Sequence, residues 1–374
     1  MRYKVLFFVD RMRVGGIQIL LLNMQKYFDS SVIQCDYLVL DDGETYEFEE
    51  KFKKLGANVY KLKGVWVDGI KSYPGYCKAM DAFFKEHHDY TVVHMHASSK
   101  NFMLLYYAKK YGIRKRIVHS HNTGFQTHSL MKIMAGNCLK IPMKKLATDY
   151  FACSELAGRW LFGNKAVAKG KVCIIPNGIE LDKFEFNPEI RKSLRKELGI
   201  SCNQIVVGNV GRFSVQKNHK FLLKIFASIH KIEPSAVLLL AGIGELMDES
   251  KKQAEDLGIS QNVRFLGFRS DVMALTQAMD VFLMPSLYEG FPVTGVEAQA
   301  SGCPCVFSDT ITKEVALLDE TIYISLDEPE NIWAEKTLST AKSSVERMKS
   351  KEKLKSYGFD IKDTVKHLEK FYIS

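Results

Sequence analysis

The sequence predicts two consecutive α/β domains, each a largely parallel sheet with helices on both faces. Three observations predict it. The first is length: 374 residues exceed one ordinary compact core and suit two domains of about 170 to 190 residues. The second is composition, 46% hydrophobic and 25% charged with nine prolines, which belongs to a packed globular chain. The third is rhythm, because short apolar runs alternate with helix-length stretches, as βαβ units require.

In the first half, strands are expected at Val5 to Val9, Cys35 to Leu40, Val59 to Leu62, Thr91 to His94, Arg116 to Val118, Tyr150 to Cys153 and Val172 to Ile175. Helices fall at Ile17 to Phe28, Tyr73 to His87 and Lys100 to Tyr111. The first of these sets Ile17, Leu20, Leu21, Met24, Tyr27 and Phe28 on one side, the stripe of a packed helix. The second half repeats the pattern with strands at Ile205 to Val210, Ala236 to Ala241, Val263 to Leu266, Val281 to Met284, Cys303 to Phe307 and Thr321 to Ile324. Its helices are Lys220 to His230, Glu249 to Leu257, Asp271 to Ala278, Val293 to Ser301 and Ile332 to Ser343. Pro176-Asn177-Gly178 and the polar segment to Pro188 read as the linker. In open sheets of this kind ligands bind beyond the carboxyl ends of the strands.

The run Val5 to Val9 is cut short by Asp10, Arg11 and Arg13, too early for a signal-peptide core or a membrane span. A cytoplasmic protein is the expectation. The eight cysteines lack metal-site spacing, and Cys303-Pro304-Cys305 lies in a strand, so neither disulfide nor metal is expected. The net charge of +9 is uneven: residues 1–180 carry 27 Lys and Arg against 16 Asp and Glu, residues 181–374 carry 25 against 27. That basic half suits a diphosphate substrate, an anionic lipid surface or nucleic acid, although no nucleic-acid-binding module is present. Between Lys132 and Lys145 basic residues alternate with Ile133, Met134, Leu139, Ile141 and Met143 after Met131, the look of a surface resting on a membrane.

Gly208-Asn209-Val210-Gly211-Arg212 leaves a strand and runs through Lys217 into a helix. Glycines let the backbone turn tightly beside a ligand, and a guanidinium and an ammonium can grip a diphosphate from two sides. A second loop, Glu289-Gly290-Phe291-Pro292, follows the strand Val281 to Met284 and opens the helix that carries Glu297. Glu297 stands among Val296, Ala298 and Ala300, where an unpaired charge is costly and a ribose diol would satisfy it. Gly290 and Gly295 read as sites of close backbone approach, and the helix start as a donor of free N–H groups to phosphate. The plain alternative makes Glu289 a cap and pairs Glu297 with a lysine.

His94-Met95-His96 and His119-Ser120-His121-Asn122 each end a strand. No third metal ligand has helpful spacing, so a metal-free site is preferred, with one histidine, best His121, as a group that contacts a ligand and a buried hydrogen-bonding role as the alternative. Val14-Gly15-Gly16 is not G-x-G-x-x-G; Gly15 and Gly16 would let donor phosphates or an acceptor approach the first helix. That misfit weakens a sugar-nucleotide epimerase or nucleotide-dependent oxidoreductase, the rival enzyme classes.

On these motifs the chain resembles the retaining GT-B glycosyltransferases of family 4, especially those that build bacterial capsular or exopolysaccharides. The resemblance covers nearly all the chain. It implies two Rossmann-like domains with facing parallel sheets and an interdomain cleft: residues 1–180 for the acceptor, 181–355 for the nucleotide sugar, and a segment 356–374 whose helix Ile361 to Phe371 returns to the first domain. It implies transfer of a hexose or N-acetylhexosamine from a UDP-linked sugar to a lipid-linked glycan in surface-polysaccharide synthesis, without cofactor or metal, at the inner face of the cell membrane. Arg212 and Lys217 would hold the diphosphate, Glu289 with Gly290, Phe291 and Pro292 the donor sugar, Glu297 the ribose, and His121 the reacting sugar.

Overall fold

The structure, a computed structural model, describes residues 2–13, 15–44, 46–63, 70–125, 127, 129–343 and 347–374. Val14 of the first glycine motif lies outside them. The chain divides into one unit of Met1–Ile179 with Asp360–Ser374, and a second of Glu180–Phe359.

The first unit is built on seven parallel strands, β1 (Tyr3–Val9), β2 (Ile33–Leu40), β3 (Val59–Leu62), β4 (Val92–Met95), β5 (Lys115–Ser120), β6 (Asp149–Ala152) and β7 (Val172–Ile174), in the order β3-β2-β1-β4-β5-β6-β7. Val5, Leu6, Phe7 and Phe8 of β1 are wholly buried, which is why the run is continuously apolar instead of alternating. The first helix is Gly16–Gln25, shorter than the expected 17–28; Tyr27 and Phe28 still pack on its core. The expected helix 100–111 is a 3-10 turn Ser99–Asn101 followed by Met103–Lys110.

The last helix, Ile361–Ile373, starts at Asp360, whose side chain accepts from the N–H of Lys362. It buries Ile361, Val365, Leu368 and Tyr372 in the core around Phe7. Lys115 donates from Nζ to the carbonyl of Phe371, holding the end of the helix to β5. A Cβ on Gly178 would stand 3.0 Å from Cα of Ile361, so glycine lets the end of the first chain segment meet the start of this helix.

The second unit has six parallel strands, β8 (Val206–Val210), β9 (Val237–Ala241), β10 (Val263–Gly267), β11 (Val281–Met284), β12 (Cys305–Ser308) and β13 (Ile322–Ile324), ordered β10-β9-β8-β11-β12-β13. Cys303 precedes its strand instead of opening it, and both Cys303 and Cys305 are buried thiols. The segment expected as linker folds: Leu181–Phe184 is a helical turn that buries Leu181 and Phe184, and Pro188–Glu197 is a helix. In each sheet strand order reverses at one place, between β1 and β4 and between β8 and β11. Loops diverge there and leave room for a ligand.

Candidate active site

In the second unit, the loops after β8, β9 and β11 meet at the carboxyl end of the sheet. Those after β8 and β9 are bonded backbone to backbone: Gly211 N–H donates to Ala241 at 2.9 Å, Phe213 N–H to Ile243 at 3.1 Å, and Leu246 N–H to Phe213 at 3.1 Å. Only glycine permits this approach. A Cβ on Gly242 would lie 1.9 Å from the Gly211 oxygen, and one on Gly244 2.3 Å from that of Phe213. Gly242 and Gly244 shape this junction and were not singled out from the sequence, although Gly-x-Gly after a strand is a usable signal.

The loop after β8 is joined equally firmly to the loop after β11. Asn218, the one non-glycine residue with positive φ among the described residues (φ 55°), donates from Nδ2 to Pro285 O at 3.0 Å. Leu287 N–H donates to Gln216 O at 2.9 Å. Gln216 also reaches Glu289 at 3.1 Å, and Lys217 Nζ stands 2.7 Å from the other Glu289 oxygen. This ion pair is largely buried, with side-chain exposures of 15% and 7%. Arg212 is instead open to solvent and pairs with Glu245 at 2.9 Å, a residue the sequence did not single out. Both expected diphosphate-binding cations are therefore held by carboxylates.

Pro292 stands at the N-terminus of the helix Val293–Ala300, which has no side-chain cap, so its first N–H groups stay available to an anion. Phe291 packs beside Phe359, ring centres 5.8 Å apart. Gly295 has a different role from the one expected: a Cβ there would meet the Phe307 ring at 2.9 Å, so it seats the helix on β12. Glu297 keeps partial exposure and has no hydrogen-bond or ion-pair partner among the described residues, which rules out pairing with a lysine there. Burial pushes its carboxyl up to about 8.

In the first unit, Gly15 is extended (φ −166°) at the N-terminus of Gly16–Gln25, and nothing lies within 4 Å of a Cβ built on Gly16. Neither glycine answers backbone strain; a Cβ on Gly15 would meet Oε1 of Gln18 at 2.8 Å, so the Gln18 side chain lies over the start of the helix and Gly16 is the more open of the two. At β4 and β5 the two histidine pairs, apart in sequence, are brought together because the strands are neighbours. His94 Nε2 and His119 Nδ1 are 3.2 Å apart, His96 Nδ1 and His121 Nε2 2.8 Å apart. Ring centres of 5.3 and 5.0 Å accompany these two contacts, whereas His119 stacks on His121 at 4.2 Å and His94 lies against His96 at 4.3 Å with the rings tilted by 34°. The result is a two-by-two array. Tyr372 closes it from the last helix, its hydroxyl 2.7 Å from His94 Nδ1.

Burial holds His94, His96 and His119 well below the usual histidine range, and His121 down to about 4; the array is neutral. His94, His96 and His119 offer ligand atoms within 4.8 Å of one another, the third ligand that sequence spacing failed to supply. An ion there would have to break the His94–His119 bond.

Comparison with known proteins places both halves. Residues 14–183 match the family described as Glycosyltransferase Family 4, and residues 190–322 that described as Glycosyl transferases group 1. The chain is 32% identical over 375 residues to the putative glycosyltransferase EpsF of Bacillus subtilis, covering 99% of this chain and 96% of that one. It is 31% identical over 227 residues to the Escherichia coli UDP-Gal:alpha-D-GlcNAc-diphosphoundecaprenol alpha-1,3-galactosyltransferase, covering 59% and 58%. The crystal structure of Anabaena Alr3699/HepE in complex with UDP and glucose superposes with a TM-score of 0.77 at 20% identity over 99% of both chains, which gives the GT-B fold.

Proposed function

We infer the reaction from one premise: the chain belongs to the glycosyltransferases, matched in both halves and along almost its whole length. The reaction we propose moves a hexose or N-acetylhexosamine from a UDP-linked donor to a lipid-linked glycan acceptor, with retention at the anomeric carbon, in surface-polysaccharide assembly. The observation that carries it is Glu297, a carboxyl without a partner among the described residues, on the same helix whose uncapped start faces an anion's needs and beside a loop bearing two cations. A ribose diol on the carboxylate and a diphosphate on the cations satisfy all of these groups at once. Support for the donor and acceptor comes from the HepE complex with UDP and glucose, and from the E. coli relative, whose name pairs UDP-Gal with a diphosphoundecaprenol-linked sugar.

As the bond from the anomeric carbon to the diphosphate oxygen breaks, negative charge grows on that oxygen, and Arg212 and Lys217 neutralise it. The acceptor oxygen bonds the carbon on the face being vacated, and its proton passes to the departing phosphate. Glu289 positions the sugar and Lys217 without covalent participation. His121, in the first unit, contributes a hydrogen bond to the reacting sugar.

Binding of UDP is expected to depend on pH in a set direction. Glu297 has its pKa raised, so the free protein carries the protonated acid below about pH 8. A ribose diol donates to the carboxylate, and binding therefore releases a proton in that range. Affinity should rise by up to about tenfold per pH unit below 8 and level off above it. Titration calorimetry checks this; a flat profile, or one unchanged by Glu297→Gln, removes the ribose assignment.

We also propose that the first unit rests on an anionic membrane. The helix Leu130–Leu146 leaves Leu130, Met131, Met134 and Ile141 exposed, by 56–81%, beside exposed Lys132 and Lys145. Lys140 departs from the expected basic face: it is buried, its Nζ 4.2 Å from the centre of the Trp160 ring. No helix among the described residues is long and apolar enough to cross a membrane. Met131→Asp with Met134→Asp should reduce sedimentation with vesicles of anionic phospholipid at least about tenfold, because each buried apolar side chain contributes about 1.5–3 kcal/mol. Equal sedimentation of the variant overturns this placement.

A further inference from the structure

The 3-10 turn Val215–Lys217 leads from the β8 loop into the next helix, and it is fastened to the β11 loop in two ways. One is through the backbone and its neighbour: the Gln216 carbonyl accepts from the Leu287 N–H at 2.9 Å, and Asn218 donates from Nδ2 to the Pro285 carbonyl at 3.0 Å. Neither bond depends on which side chain stands at 216. The other is the Gln216 side chain itself, whose Nε2 donates to the Tyr288 carbonyl at 3.0 Å and to Glu289 Oε2 at 3.1 Å.

The partners decide which end of that amide faces them. A main-chain carbonyl and an ionised carboxylate only accept, so the NH2 group stands there with both hydrogens engaged, and an amide oxygen in its place would meet two acceptors. Glu289 is thereby held at each of its oxygens by a different residue, Oε2 by Gln216 and Oε1 by Lys217 Nζ at 2.7 Å. Donors on both oxygens fix the plane of the carboxylate, and the Tyr288 carbonyl fixes the Gln216 donor in turn. The Glu289 side chain is only 7% exposed, so water does not freely replace a donor lost there.

The two donors differ in what a diphosphate does to them. Lys217 carries the charge that a diphosphate attracts, whereas Gln216 is neutral and anchored to backbone. A carboxylate offers about four lone-pair sites, so Oε1 retains capacity for a hydroxyl beside Lys217. We propose that Gln216 is a positioning residue for sugar transfer: it anchors Glu289 through Oε2 and leaves Oε1 as the oxygen that accepts from a hydroxyl of the donor sugar. Gln216 itself does not touch the sugar. This role rests on the assignment of Glu289 to the donor sugar.

Gln216→Met keeps the length of the side chain and removes both donors. UDP release is measured from UDP-glucose, UDP-galactose, UDP-N-acetylglucosamine and UDP-N-acetylgalactosamine, with and without a short-chain polyprenyl-diphosphate N-acetylhexosamine as acceptor. Gln216→Met should lower kcat about tenfold, the scale of one hydrogen bond to a charged group. Its affinity for UDP alone, read by calorimetry, should stay within about twofold, because UDP lacks the sugar and the backbone bonds that place Lys217 survive. The second arm is a cycle with Glu289→Ala. Once Glu289 is gone Gln216 has nothing to position, so the double variant should match Glu289→Ala in kcat within about twofold.

Undiminished kcat in Gln216→Met overturns the proposal. A loss of UDP affinity as large as the loss of kcat also overturns it, since Gln216 would then be a staple between the loops; this reading needs only the single variant and stands even if Glu289→Ala does not fold. Losses that multiply in the double variant overturn it as well, because Gln216 would then act by a route other than Glu289. If the wild type releases no UDP from any of the four donors, it is the sugar-transfer reading that fails, and the role of Gln216 falls with it; an active wild type matched by Gln216→Met removes the role of Gln216 alone.

Discussion

Replacing Arg212 by alanine is expected to lower kcat/KM for sugar transfer by about 10²- to 10³-fold, the usual cost of removing one preorganised charge from a leaving group. Folding should survive. Arg212 and Glu245 are each more than half exposed, and a surface ion pair contributes about 0–1 kcal/mol, so thermal melting should move by no more than about 4 °C. Lys217→Ala provides the contrast. Its partner Glu289 is almost wholly buried, and stripping the cation from a buried carboxylate destabilises by about 3–5 kcal/mol. That variant should lose both transfer and several degrees of melting temperature. Parallel rate and melting measurements separate the two; near-normal transfer by Arg212→Ala would sink the diphosphate assignment.

The difference between these residues was invisible in sequence, where both read as cations on one loop. Their loop, the β11 loop and Glu297 were legible because each follows a buried apolar strand and because the glycines mark turns. The partners were not. Glu245 follows β9 by four residues, and only the topology, which sets β9 beside β8, brings it to Arg212. The histidines show the same limit more sharply. Spacing along the chain offered two pairs and no third ligand, whereas adjacency of β4 and β5 makes four rings into one array.

Strands of the fold were legible for a physical reason. Parallel strands buried on both faces are uninterrupted apolar runs, and β9, β11 and β1 from Val5 onward are such runs. The helix Pro188–Glu197 was hidden by the opposite property. It is mostly polar, and it docks through Arg191 and Arg195, which pair with Asp280 at 2.5 and 2.6 Å. Asn187-Pro188 looked like a breaker, yet Asn187 accepts from the Glu189 N–H as a helix cap and Pro188 occupies the first turn. That pair is a start signal when helical residues follow it.

Gly242→Ala is expected to have the other large effect, and it tests whether the donor site depends on the zipper between the β8 and β9 loops. Gly242 has φ +146°, and its added Cβ would fall 1.9 Å from the Gly211 oxygen. Both atoms belong to backbone, so no side chain can swing away. The loops must separate, and the turn carrying Arg212 moves with them. A loss of about 3 kcal/mol or more is expected from strain and broken backbone bonds together, with UDP binding weakened at least about tenfold. Gly258→Ala supplies the control, since Gly258 also has positive φ (+71°) but no atom within 4 Å of its Cβ position. It should cost only about 1–2 kcal/mol of backbone strain and leave UDP affinity unchanged. Urea unfolding and calorimetry on both variants decide the matter. If the two variants lose stability alike and bind UDP alike, the close approach of the loops is a packing feature and Arg212 takes its position from elsewhere.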